Sequence, residues 1–215
     1  MISSRSAGWP LLAGAALLFL AQIPQSVLFG GSDEARYAQH VLFVPTNVVA
    51  VVGALLLLWA LPLVYASPRT RGLGVIGRLG TALIFIAGSL FGVFSSLMGA
   101  ILLPYLATRI PGMFSDSGPA GLFVFFMVAT LCLVLGAILL AVPMVRGRVF
   151  TRWTGYVLLA SAVFGVVGFL VSGPSTTPLP GIIAQALNTF LLFVGLGWMG
   201  YHLITMPRSE EALAS

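Results

Sequence analysis

The side chains with the most capacity for chemistry inside the apolar sequence are carboxamides. Gln22, Gln25, Asn47, Gln185 and Asn188 both donate and accept hydrogen bonds, yet carry no charge and no proton to transfer. Gln185 shares one helical face with Asn188 and Thr189 through three- and four-residue spacing, as Gln22 shares another with Gln25. At about 1.5 Å rise per residue, Gln22, Asn47 and Asn188 each fall about 9 to 10 Å below the outer end of their helices. Thr46 lies in the same layer, while Ser95, Ser96 and Thr130 are expected as a lesser group nearer mid-bilayer.

Two readings of this layer stand side by side. In the first, the carboxamides form an outward-facing polar recess between helices 1, 2 and 6 that binds a neutral small molecule or a lipid head group. In the second, they bond one another across helices, each pair contributing about 0.6 to 2 kcal/mol. Pro24 and Pro45 flank the layer, and a proline in a span frees a carbonyl that a nearby carboxamide can satisfy.

Other chemistries find little to work with. All ten basic residues are Arg, so a lysine Schiff base is excluded. The single cysteine, Cys132, sits in an apolar run and reads as a small core residue, without a partner for a disulfide or thiol pair. His40 and His202 are expected near opposite membrane faces, too far apart to share a haem or a metal ion, and both read as interfacial side chains. Tyr37, Tyr105 and Tyr201 read as interface anchors. There is no Gly-x-Ser-x-Gly or His-Glu-x-x-His pattern. We therefore expect no catalytic residue, no metal and no cofactor, and read the chain as non-enzymatic.

The elements that position these residues follow from the charges. Of 215 residues, 59% are hydrophobic and 7% charged, against about 25% charged in soluble domains. Charge-free stretches run from Arg5 to Asp33, Arg36 to Arg69, Arg78 to Arg109, Asp116 to Arg146 and Arg152 to Arg208. Each exceeds the roughly 20 apolar residues that cross a bilayer. The last is divided by Gly173-Pro-Ser-Thr-Thr-Pro-Leu-Pro-Gly181, which cannot continue a helix. The expectation is an all-α, polytopic protein, a single transmembrane domain over 1–215 without a soluble domain. Its helices are predicted at about 9–30, 41–66, 79–107, 120–145, 153–172 and 182–206. The first exceeds the apolar run of a secretory signal and is read as a span.

Arg5, Arg69, Arg71, Arg78, Arg146, Arg148, Arg152 and Arg208 fall on one side of these spans, Arg36 and Arg109 on the other. The positive-inside rule then places both termini in the cytoplasm, with Asp33, Glu34 and Asp116 facing out. No Asp, Glu, Arg or Lys is predicted within a span, which argues against proton coupling, voltage sensing and carboxylate-lined ion paths. The expected partners are membrane lipids, with the two cytoplasmic arginine clusters as surfaces for anionic lipid or for a protein partner. Nucleic acid is not expected.

Helices 2, 4 and 6 share a pattern of one polar residue, five apolar residues and a glycine: Asn47-Val-Val-Ala-Val-Val-Gly53, Thr130-Leu-Cys-Leu-Val-Leu-Gly136 and Thr189-Phe-Leu-Leu-Phe-Val-Gly195. This predicts three up-down hairpins of one orientation. Gly88, Gly92, Ser96 and Ala100 place a small residue at every fourth position of helix 3, and Ser161, Gly165, Gly168 and Ser172 make a similar face on helix 5. Both read as surfaces for close helix packing.

The segment Pro143-Met-Val-Arg-Gly-Arg-Val-Phe-Thr-Arg152-Trp153-Thr-Gly155, with the later Ala186-Leu-Asn188 and the Gly-Leu-Gly-Trp-Met-Gly-Tyr-His run, resembles small bacterial six-helix integral membrane proteins of uncharacterised function. The resemblance covers about the final third of the chain. It implies a polytopic bundle and carries over no catalytic residue. The function expected is a binding or accessory subunit with its recess at Gln22, Gln25, Asn47, Gln185 and Asn188. The alternative is a substrate-capturing transport component working with a separate partner, which needs a small-residue face left free in the cytoplasmic half.

Overall fold

Long apolar runs in lipid must satisfy their backbone internally, and helices do this within one segment. The computed structural model describes residues 4–28, 37–109, 120–147, 149–171 and 179–205. Asp33, Glu34, Arg36, Asp116, Arg148, Ser172, Arg208 and the 172–178 run lie outside them. Six helices dominate: α1 (Ser4–Leu28), α2 (Phe43–Ala66), α3 (Gly74–Arg109), α4 (Ala120–Val145), α5 (Arg152–Val171) and α6 (Leu179–Thr205). All six are long and apolar enough to cross a membrane. The described residues contain no strand.

Three boundaries differ from the sequence expectation for local reasons. α1 is already helical at Ser4, taking in Arg5. α3 starts at Gly74, whose φ of +62° provides a left-handed turn out of the short 3₁₀ segment Pro68–Leu73. α6 starts at Leu179, because Pro180 falls in the first turn, where its missing N–H costs nothing.

The helices form a closed ring in chain order. α1 packs on α2 and α6, α4 on α3 and α5, α5 on α6, and α2 meets mainly the second half of α3. Glycines set these approaches. Gly14 lies against Gly53 and Leu57, Gly80 against Gly136 and Leu140, Gly155 against Ala141 and Val145, and Gly8 against Gly200 and Leu203. Gly88 and Gly92 of the helix 3 stripe meet Leu58 and Ala54 of α2, so that stripe is used within the chain. A third contact on this seam comes from Gly99, which meets Asn47. Along this stretch α3 widens into π turns at Gly88–Ser95 and Met98–Leu102, a distortion frequent at functional sites.

The two ends of the ring are built differently. At the end bearing Arg5, Arg78, Arg146 and Arg152, fully buried Leu11, Leu61, Leu140, Met144, Leu158, Met199 and Leu203 fill the interior. All four tryptophans, Trp9, Trp59, Trp153 and Trp198, are exposed in this half, where an interfacial belt belongs. Arg78 lies over the Tyr65 ring at 5.2 Å. Thr70 holds the α2–α3 linker: its buried hydroxyl donates to the carbonyls of Val64 and Ser67, which end α2. Thr70→Val removes the hydroxyl from both carbonyls, leaving them the N–H groups of residues 67 and 70, and is expected to lower stability by about 1 kcal/mol. A thermal midpoint equal to wild type would refute that role.

The threefold sequence pattern has a structural counterpart. Asn47 donates to the carbonyl of Phe43, Thr130 to Phe126 and Thr189 to Gln185, each four residues back and each at 2.9 Å. The glycine six residues later packs in each case on the preceding helix: Gly53 on α1, Gly136 on α3 and Gly195 on α5.

Candidate functional site

Above the filled half of the ring, the interior opens into a cavity of about 910 Å³ lined by all six helices. Gln22, Gln25, Asn47, Gln185 and Asn188 all stand on its wall, with Thr189. The wall is wider than the recess expected between helices 1, 2 and 6, because α3, α4 and α5 contribute to it as well. Ser95, Ser96 and Thr130, expected at a separate depth, line the same space. Gly99 sits beside Asn47 and Gly92 beside Ala54, so Ser96 falls between these two levels.

Glycine slots receive the carboxamides. A methyl added at Gly99 would come within 2.6 Å of Asn47 Oδ1, and one at Gly165 within 3.2 Å of Asn188 Nδ2. Gly168 abuts the Gln185 side chain in the same way. Ser161 shares its proton between the backbone carbonyl and the Oδ1 of Asn188, both at 2.8 Å. Gln22 Nε2 donates to Ser26 at 3.1 Å. The small-residue face of α5 is thus a fitted bed for the carboxamides of α6. Its sequence signal was present as Ser161, Gly165 and Gly168, but reads equally as a packing stripe.

Among the described residues, the wall carries no ionisable side chain. Its lower part is aliphatic, with Leu57, Ile84, Leu133, Leu192 and Leu196, and its sides carry Phe91, Phe126, Phe169 and Phe193. Phe91 and Phe126 stack at 5.7 Å, and Phe19 meets Phe190 edge-on at 4.9 Å, joining α1 to α6 one turn below Gln22. Such a wall can hold a neutral ligand by shape and hydrogen bonds, since apolar pockets with a few convergent polar groups are the usual form of small-molecule sites.

The histidines stand apart from this space. His40 accepts from the Leu42 N–H at 3.2 Å, at the start of α2. His202 is partly buried in the last turn of α6, near the arginine end, against Trp198 and Tyr201 at 6.0 and 6.2 Å. Among the described residues no three His, Cys, Asp or Glu side chains gather. Cys132 is partly buried and off the wall.

Fold and cavity define an all-helical protein with six membrane-length apolar helices around an uncharged internal space. Comparison with family models, curated proteins and solved structures finds no match.

Proposed function

We propose that the chain is a non-enzymatic binding or accessory subunit of the bacterial cytoplasmic membrane that holds a neutral small molecule in its central cavity. The observation that carries this reading is an interior space of about 910 Å³ whose polar groups, among the described residues, are all uncharged and stand above an aliphatic floor. A space serving only helix packing would be filled, as the other half of the ring is. The positions of Arg5, Arg78, Arg146 and Arg152 and of the four tryptophans support a bundle of three up-down hairpins with both termini cytoplasmic. The cavity then lies in the outer half.

The transport-component reading needs a free small-residue face in the cytoplasmic half. There Gly8, Gly77, Gly80, Gly155 and Gly200 are taken up by contacts within the ring, which favours the binding reading. Native mass spectrometry of the protein released from membranes tests it. The expected result is one neutral molecule retained per chain at collision energies that strip annular lipid. Bare protein in every preparation overturns it.

A further inference from the structure

We infer that the cavity's ligand is an uncharged amphipath with a hydroxyl-bearing head and a slim apolar body, the head at the carboxamide level and the body directed toward the arginine-rich end. This rests on the binding reading above and names its ligand class.

Three polar side chains on the wall are more than nine-tenths buried: Asn47 at 5% exposed, Ser96 at 7% and Asn188 at 7%. Their hydrogen-bonding capacity is only partly used by the described residues. The Ser96 hydroxyl makes no hydrogen bond there, Asn47 uses only Nδ2 and Asn188 only its oxygens. Buried polar groups of this kind are rarely left without partners, so the cavity has hydrogen bonds still to make.

The direction of the remaining bonds selects the head. The hydroxyls of Thr130 and Thr189 donate to their own helices and offer the cavity only lone pairs, as does Asn47 Oδ1. Asn188 Nδ2 and the Ser96 hydroxyl offer donors. A hydroxyl both gives and takes a hydrogen bond and matches such a wall, whereas an ester or ether leaves the acceptors unmet. Among the described residues the wall carries no charge, so an ionised head set among them brings an uncompensated charge into an apolar site and is rejected.

The body follows from the floor. From Asn47 to Leu57 the α2 wall descends about 15 Å at 1.5 Å per residue, and over this length it meets Ile84, Leu133 and Leu196 without a further carboxamide. A freely water-soluble polyol has nothing to place there, and a chain without a head leaves the upper groups unpaired.

The test is a native mass spectrometric titration of the full-length protein in detergent at pH 8 with four probes: 1-monodecanoylglycerol, methyl decanoate, decanoate and glycerol. Monodecanoylglycerol is expected to bind one per chain, at least about tenfold tighter than each of the others. Asn188→Leu should weaken it about tenfold while keeping the wild-type thermal midpoint, because Ser161 retains the backbone carbonyl of residue 188. Should that variant fail to fold, Ser96→Ala, which removes one oxygen, is expected to weaken binding about fivefold. Methyl decanoate or decanoate binding as tightly as monodecanoylglycerol overturns the hydroxyl-headed class and leaves the binding reading intact. So does failure of all four probes in a preparation that retains another neutral molecule. Failure of all four in a preparation that retains none overturns both.

Discussion

Gly80→Ala is expected to lower the stability of the protein in detergent by about 2–3 kcal/mol, while Gly197→Ala leaves it unchanged or raises it. Both replace a glycine inside a helix, and by intrinsic propensity both should gain up to about 1 kcal/mol. Their surroundings differ. At Gly80 the new methyl would lie 2.5 Å from the Leu140 nitrogen and 2.8 Å from the Gly136 oxygen, backbone atoms of α4 that cannot rotate aside. α3 and α4 must then separate along the seam they share, and overpacking of this kind costs about 1–3 kcal/mol or more. At Gly197 the nearest atoms are Ala15 Cβ at 3.5 Å and Leu12 Cδ1 at 3.8 Å, ordinary contacts. Thermal midpoints of the two variants, measured by circular dichroism, decide the matter. Equal midpoints would mean that the close approach of α3 and α4 is not needed for stability.

Thr130→Trp is expected to abolish ligand retention, a loss of at least about a hundredfold in affinity, with little change in stability. Thr130 stands on the cavity wall and is only partly buried, so an indole at this position projects into open space rather than into a neighbouring helix. The lost hydroxyl orphans nothing, since its one bond is to the Phe126 carbonyl four residues back on the same helix. The new ring would bury about 150–250 Å² against Phe91 and Phe126, which offsets its ordering cost. The measurement is the occupant's mass in native spectra of the variant beside wild type. Full retention of the same molecule in a folded variant would place the binding site outside the cavity.

Much of the architecture was readable before any coordinates. Backbone in lipid has few options, so the intervals between Arg5, Asp33, Arg36, Arg69, Arg78, Arg109, Asp116, Arg146, Arg152 and Arg208 outline six helices almost by themselves. The boundaries at Gly74 and Leu179 were missed because they depend on a positive φ and on a proline placed in a first turn, matters of one residue's conformation. The site was half legible. Carboxamides are conspicuous in apolar sequence, and Gln22, Gln25, Asn47, Gln185 and Asn188 do reach one cavity wall. Ser95, Ser96 and Thr130, read as a lesser group nearer mid-bilayer, line the same cavity, with Ser96 below the level at which Asn47 meets Gly99. The pairing of Asn47 with Gly99, and of Asn188 with Gly165 and Ser161, joins residues far apart in the chain through side chains of little individual character. Periodicity shows that a small residue lies on a face, but not which partner that face receives.

The closure of the ring by α6 against α1 has a consequence for biosynthesis. The segment around Ala7, Gly8 and Leu11 is made well before the Gly200 and Leu203 surface that covers it, which belongs to the last of the six helices. At about 5–20 residues per second, the delay is on the order of ten to forty seconds. Until then one flank of α1 faces lipid or the insertion machinery, and the central space has no sixth wall. A ligand of that space cannot template the early steps of assembly. It can act only on the finished ring, as a stabiliser of a protein already made.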